Sequence, residues 1–313
     1  MIHVTSLTKR YGSKVAVDNL SFDVHGGRVT GFLGPNGSGK STTLRVIVGL
    51  DAPNVGRALV NGRRYADLAS PLRQIGVMLD GRACHPGRSA RAHLGALARS
   101  NDIPTRRVDA VLETVGLADV ASRRVGTFSL GMSQRLGIAA ALIGDPGVLL
   151  LDEPINGLDP EGIRWVRDLV RGLASEGRCV LISSHLICDM AVSADALVVI
   201  GRGRLLAEMS MATFIALRPG TVRVRASDPD PLVTALEAIG AAVVRGEDGG
   251  LLMVSGATAG TIAELATAKC ISLHELTPQT ASLEDVFMEL TRDSVDYRGT
   301  PQQVADSSNL RSC

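Results

Sequence analysis

Hydrophobic and polar positions alternate early in the chain. Val15, Val17, Leu20, Phe22 and Val24 fall in a mostly period-two pattern, and Gly26-Gly27 ends it. Residues 2–33 therefore read as β-rich, with Val29-Thr30-Gly31-Phe32-Leu33 a short buried strand. Thr43-Leu44-Arg45-Val46-Ile47-Val48 reads as the first turns of a helix, and Asp51-Ala52-Pro53-Asn54-Val55-Gly56 breaks the pattern. Short strands are expected at 57–60 and 75–79. Residues 88–145 read mainly as helices. Ala92, Leu94, Leu97 and Ala98 cluster in one, and Val108, Val111, Leu112 and Val115 lie at helical spacing in another.

Further on, Val148-Leu149-Leu150-Leu151 is an apolar run that predicts a parallel strand buried on both faces. Ile163, Val166, Leu169, Val170 and Leu173 make an amphipathic helix. Cys179-Val180-Leu181-Ile182 is another buried strand, leading to Ser183-Ser184-His185. Alternating β and α elements across 28–200 predict a mainly parallel, helix-covered sheet. Residues 196–200 and 205–208 flank Gly201-Arg202-Gly203-Arg204, which resembles a hairpin turn. From about 218 the character changes. Pro219-Gly220 is a break, and Thr221 to Arg225, a helix near 231–239, and Leu251 to Val254 suggest a small α/β module. The polar tail beyond Arg292 is expected to be disordered.

Composition narrows the partners. The 313 residues suggest one large domain or two smaller ones, and 45% are apolar, enough for a core. A formal net charge of +1 gives no strong attraction to nucleic acid or acidic membrane, and 3% aromatics argue against a base-stacking surface. Five scattered cysteines without a C-x-x-C pair fit a reducing compartment. The N-terminus lacks a signal-peptide pattern. The most apolar stretch, Leu136 to Leu151, is broken by Asp145-Pro146 and is too short to span a membrane.

The candidate chemistry centres on Gly34-Pro35-Asn36-Gly37-Ser38-Gly39-Lys40-Ser41-Thr42, which fits the phosphate-binding pattern G-x-x-x-x-G-K-S/T. A strand before it and a helix after it supply the required context. The glycines let backbone N–H groups turn inward around an anion, and the helix N-terminus adds partial positive charge. Lys40 would reach the β- and γ-phosphates, and Ser41 would offer its hydroxyl to Mg²⁺. Taken alone, Asp152-Glu153 at a strand end would be a solvated terminus and His185 a structural histidine. With a phosphate loop upstream, an Mg²⁺-binding Asp152 is favoured, and His185 falls on the same sheet edge.

Taken in order, these features resemble the nucleotide-binding subunit of ATP-binding cassette (ABC) transporters, over about residues 2–215. Tyr11 matches the aromatic that stacks on adenine. Gly34 to Thr42 matches Walker A, Leu149 to Asp152 Walker B, Glu153 the catalytic glutamate, Asn156-Gly157-Leu158-Asp159 the D-loop and His185 the switch histidine. Phe128-Ser129-Leu130-Gly131-Met132-Ser133-Gln134-Arg135 stands where the family has its Leu-Ser-Gly-Gly-Gln signature. Leu130 replaces the first signature glycine and Met132 the glutamine, while Ser129 and Gly131 remain to contact phosphate. Asp80 stands where the family usually has a glutamine that touches Mg²⁺ and the attacking water. The segment 281–291, Ala-Ser-Leu-Glu-Asp-Val-Phe-Met-Glu-Leu-Thr, resembles the closing segment of daunorubicin- and bacitracin-resistance-type transporter ATPases. Without that resemblance it reads as an amphipathic helix with a Ser N-cap.

The resemblance implies an α/β fold: a RecA-like P-loop NTPase core with an antiparallel β subdomain and a helical signature subdomain, plus a small C-terminal α/β module. It implies an ATPase domain over 1–217, with the helical subdomain at about 85–145, an accessory module over 218–293 and a tail from 294. ATP and Mg²⁺ are the expected cofactors, the metal held by Ser41, Asp152 and Asp80. Lys40, Glu153 and His185 are the expected catalytic residues. The expected partners are a membrane permease and a second ATPase subunit, at the cytoplasmic face of the membrane, with no nucleic acid. Two other readings compete. A soluble ABC ATPase acting on ribosomes would usually carry two cassettes, and one acting in DNA repair would carry coiled-coil or zinc insertions. A non-hydrolysing regulator is disfavoured by Glu153 and His185.

Overall fold

The computed structural model describes residues 1–217, 220–246, 250–279 and 282–292. The expected tail from 294 lies outside them, as do Pro219 and Ala281.

Strands β1 (Ile2–Tyr11) and β2 (Lys14–Val24) form an antiparallel hairpin. Next come β3 (Arg28–Leu33) and α1 (Lys40–Ile47), the latter starting three residues before the apolar spacing suggested. Strand β4 (Val55–Val60) then returns to the free side of β1, giving the sheet order β2-β1-β4. The period-two pattern slips between Val17 and Leu20, and the structure explains it. Lys9 faces Val17 but Leu7 faces Leu20, a bulge with Asn19 at φ 49° and its N–H donated to Thr8 Oγ1. Val17, Leu20, Phe22 and Val24 all stay buried, whereas Val15 is 38% exposed.

Helix α2 (Pro71–Gln74), strand β5 (Ile75–Met78), then helices α3 (Ala90–Ser100), α4 (Arg106–Thr114) and α5 (Leu130–Leu142) follow. Strand β6 (Val148–Asp152), helix α6 (Pro160–Ser175), strand β7 (Cys179–Ser184), helix α7 (Ile187–Ser193), the hairpin β8 (Ala196–Gly201) and β9 (Arg204–Ser210), and helix α8 (Met211–Ala216) complete this body. The second sheet runs β5-β6-β7-β3-β8-β9, parallel except for β9. Its central strands are buried on both faces, as their unbroken apolar runs require. One face carries the core shared with the helices, from Leu94 and Leu112 to Leu149 and Val170. The other packs on the first sheet, where Phe22 stacks on Phe32 at 5.2 Å between centroids.

Strands β10 (Thr221–Ala226), β11 (Ala242–Arg245), β12 (Leu251–Ser255) and β13 (Leu273–Gln279), with helices α9 (Pro229–Ala238) and α10 (Ala259–Ala268), build a third, antiparallel sheet ordered β11-β12-β10-β13. It has its own core, including Val224, Leu236, Leu252 and Ile262. Helix α11 (Leu283–Thr291) does not join that core. Leu283, Val286, Phe287 and Leu290 form a stripe at i, i+3, i+4 and i+7, and they pack into the core of the first body, beside α7. The C-terminal end of the segment expected as an accessory module over 218–293 therefore packs against the first body. The Ser282 hydroxyl donates to Glu284 Oε2 at 2.7 Å rather than capping the helix. Val286→Ala is expected to lower stability by about 1–2 kcal/mol and to speed amide exchange in α7. Unchanged exchange in α7 would contradict this packing.

Candidate nucleotide site

The loop between β3 and α1 is shaped by what glycine permits. A Cβ on Gly34 would lie 2.5 Å from the Ile200 carbonyl oxygen and equally close to Ser38 Oγ. Gly39 has φ +102°, and a Cβ there would lie 2.5 Å from the Ala16 carbonyl oxygen. No other residue fits either place without moving backbone. Ser38 Oγ is buried with no hydrogen-bond partner in the protein. Such an orphan within the glycine loop suits a phosphate oxygen.

Lys40 is only 6% exposed. Its Nζ donates to the carbonyls of Gly34 at 2.6 Å and Pro35 at 3.3 Å, and lies 3.9 Å from Glu153 Oε1. Burial pushes the Lys40 pKa down, while the Glu153 and Asp152 carboxylates oppose that shift.

Parallel pairing sets Ser183 of β7 opposite both Phe32 of β3 and Asp152 of β6. The Ser183 hydroxyl donates to Asp152 Oδ1 and accepts the Glu153 N–H at 3.0 Å. Glu153 has φ 49°, a conformation that costs a non-glycine residue energy and turns the chain sharply off the strand. Both Glu153 carboxylate oxygens accept from His185 Nδ1, at 2.9 and 3.0 Å. A carboxylate only accepts, so the proton is assigned to Nδ1. Lys40, Glu153 and His185 thus converge, which the separate motifs did not guarantee.

These groups line a cavity of about 700 Å³, together with residues 36–42 and Tyr11. The Tyr11 hydroxyl donates to Asp51 Oδ2 at 2.8 Å; Asp51 also accepts from Arg45 Nε at 2.6 Å. Lys9 Nζ lies 4.8 Å from the ring centroid. The Tyr11 phenol is held above its ordinary pKa by burial and then by Asp51, whose own carboxyl is held low chiefly by the Arg45 hydrogen bond.

Other expected residues lie elsewhere. Asp80 is exposed, does not line the cavity, and accepts the Arg82 N–H at 2.8 Å. Ser129 and Gly131, at the start of α5, do not line it either; Ser129 Oγ accepts the Met132 N–H at 3.2 Å. Lys14, Asn156 and Arg202, none of them among the expected catalytic, nucleotide or metal residues, also line it. Asn156 was legible within the D-loop match. Arg202 depends on a tertiary tie, the Gly203 N–H donated to the Ser38 carbonyl at 2.8 Å, which no local pattern announces. Among the described residues no cluster of three His, Cys, Asp or Glu side chains could hold a metal alone. The hydroxyl of Ser41 and the carboxylate of Asp152 are hard oxygen donors, the set that Mg²⁺ combines with phosphate oxygens and water.

Over its length the chain is 33% identical to the ABC transporter ATP-binding protein YhcH of Bacillus subtilis (strain 168), covering 94% of this chain and 97% of that one. This chain belongs to the ABC transporter ATP-binding proteins. The ABC transporter family model matches residues 17–156, and a domain of unknown function matches 220–284. The bacitracin transport ATP-binding protein BcrA of Bacillus licheniformis is 42% identical over 212 residues, 67% of this chain and 69% of that protein. A solved ATP-binding subunit of an ABC transporter superposes with a TM-score of 0.63 at 27% identity, covering 69% of this chain and 92% of that one. As an ABC subunit the protein is an ATPase that powers transport through a separate permease. No described helix is long and apolar enough to cross a membrane.

The buried Ser183 hydroxyl, which joins Asp152 to the Glu153 backbone, was not among the expected site residues. Ser183→Ala is expected to lower kcat about tenfold, the loss of one charge-assisted hydrogen bond, with ATP affinity unchanged. Equal turnover by wild type and variant would remove the hydroxyl from the site.

Proposed function

We propose that this protein energises an exporter of a drug, lipid or other small molecule, docked on its permease at the cytoplasmic face of the membrane. Similarity to the Nod factor export ATP-binding protein I of Burkholderia orbicola (strain AU 1054), 36% identical over 235 residues, supports the export direction. The observation that carries the chemistry is the Glu153 carboxylate, held between Lys40 at 3.9 Å and His185 at 2.9 Å in the lining of a nucleotide-sized cavity.

In this reading adenine stacks on Tyr11, whose ring is fixed by Asp51 and flanked by Lys9. The N–H groups of residues 37–42 wrap the phosphates. Lys40 exchanges its carbonyl acceptors for β- and γ-phosphate oxygens, which are charged and bind the ammonium more strongly. Ser41 would hold Mg²⁺ directly and Asp152 through water; the metal's contribution is to neutralise charge that develops on the phosphates. Glu153 polarises the attacking water, and His185, locked by its Nδ1–H to Glu153, presents its other nitrogen toward the γ-phosphate.

Ser129 and Gly131 lie outside this chain's own cavity, which supports their serving a second subunit's ATP. Two nucleotides are then enclosed by a head-to-tail pair, and hydrolysis releases it. Glu153→Gln should slow turnover by about 100-fold or more while ATP affinity is kept and the dimer accumulates. Gel filtration with Mg-ATP checks this, and a variant that binds ATP yet stays monomeric would overturn the paired scheme.

A further inference from the structure

Leu130 occupies the position of a signature glycine, and the structure shows where its extra volume goes. A Cβ built on Gly157 would lie 2.0 Å from Leu130 Cδ2 and 2.8 Å from its Cγ. Gly157, with φ +73°, thus leaves a notch in the D-loop against which the Leu130 side chain, 38% exposed, packs. Reciprocally, a Cβ on Gly131 would meet Leu158 Cδ2 at 3.3 Å. One turn further along α5, Gln134 is 8% exposed and donates its Nε2 to the Asn156 carbonyl at 3.2 Å. Asn156 lines the nucleotide cavity, and its N–H donates to the Glu153 carbonyl at 3.2 Å. A continuous path of contacts therefore runs from the signature turn through Leu130 and Gly157 to the backbone of Glu153.

We propose that Leu130 is a positioning residue: it keys the signature helix into the notch at Gly157, so that the D-loop and the start of α5 move as one piece. The turn that carries Ser129 and Gly131 is thereby tied to the cavity of its own chain. A glycine at 130 would have no side chain to pack against the notch, and a side chain at 157 would meet Leu130 head-on. The departure at 130 and the glycine at 157 are two halves of one contact. The consequence for turnover rests on the ATPase reading above; the contact itself does not.

The test is a double-mutant cycle in the full-length protein: Leu130→Ala, Gly157→Ala and both together. Alanine at 130 keeps helix propensity but withdraws Cγ and Cδ, leaving only a Cβ at 3.7 Å from the added methyl. Positive φ at 157 penalises Gly157→Ala equally in both backgrounds, so that cost cancels and the coupling isolates the steric clash. Gly157→Ala is expected to lower kcat about thirtyfold in the wild-type background and only about threefold in the Leu130→Ala background, with ATP affinity within about twofold throughout. Leu130→Ala alone should lower kcat about fivefold at unchanged KM, and Leu130→Met, which again packs against the notch, should restore most of it. Equal fold losses from Gly157→Ala in both backgrounds would overturn the proposal. So would a Leu130→Ala variant that is less stable yet turns over normally. If the wild-type chain hydrolyses no ATP, the function reading fails, and the same cycle read by urea unfolding decides the contact: additive midpoints refute it.

Discussion

Parallel hydrogen bonding of β6, β7 and β3 brings three strand ends to one level, and the chemistry of this protein depends on that register. Each strand delivers one class of group. From β3 comes the glycine loop with Lys40, from β6 the carboxylates of Asp152 and Glu153, and from β7 the Ser183 hydroxyl and His185. A slip of one residue in any pairing would reverse which face its side chains address. Ser183 sits at the middle of the arrangement, fully buried, with both of its hydrogen bonds directed to the neighbouring strand end. The buried Lys40 cation is tolerable there because carbonyl oxygens and the nearby Glu153 meet it.

Much of the frame was legible along the chain because parallel strands buried on both faces leave unbroken apolar runs. Residues 148–152 and 179–182 are examples. The loop from Gly34 to Thr42 was legible because its backbone demands glycine at places where a Cβ would strike carbonyl oxygens. Helix α5 was harder to read from periodicity. Leu136, Ile138, Ala139, Ala141 and Leu142 are all buried, so the helix has scarcely any polar face after its first turn.

Much of what stayed hidden involves partners distant in sequence. Arg202 reaches the cavity because its hairpin is fastened to Ser38, more than 160 positions earlier. Asp80, which the resemblance aligns with a metal-shell glutamine, accepts the N–H of Arg82 within its own loop. A short acidic side chain favours such local turns, and a longer amide at that position would not. The bulge at Asn19 likewise appears only once β1 is laid against β2.

The return of α11 to the first body changes what counts as a separable unit. Its apolar stripe covers part of the surface beside α7, the helix that begins two residues after His185. Cys188 on α7 also donates its thiol hydrogen to Glu284 on α11. Cutting the chain after residue 217 would strip this cover and expose apolar side chains of the first body close to His185. A cassette transplanted into a chimera would therefore need to carry residues 282–292 with it, even if the intervening sheet were exchanged for a simple tether.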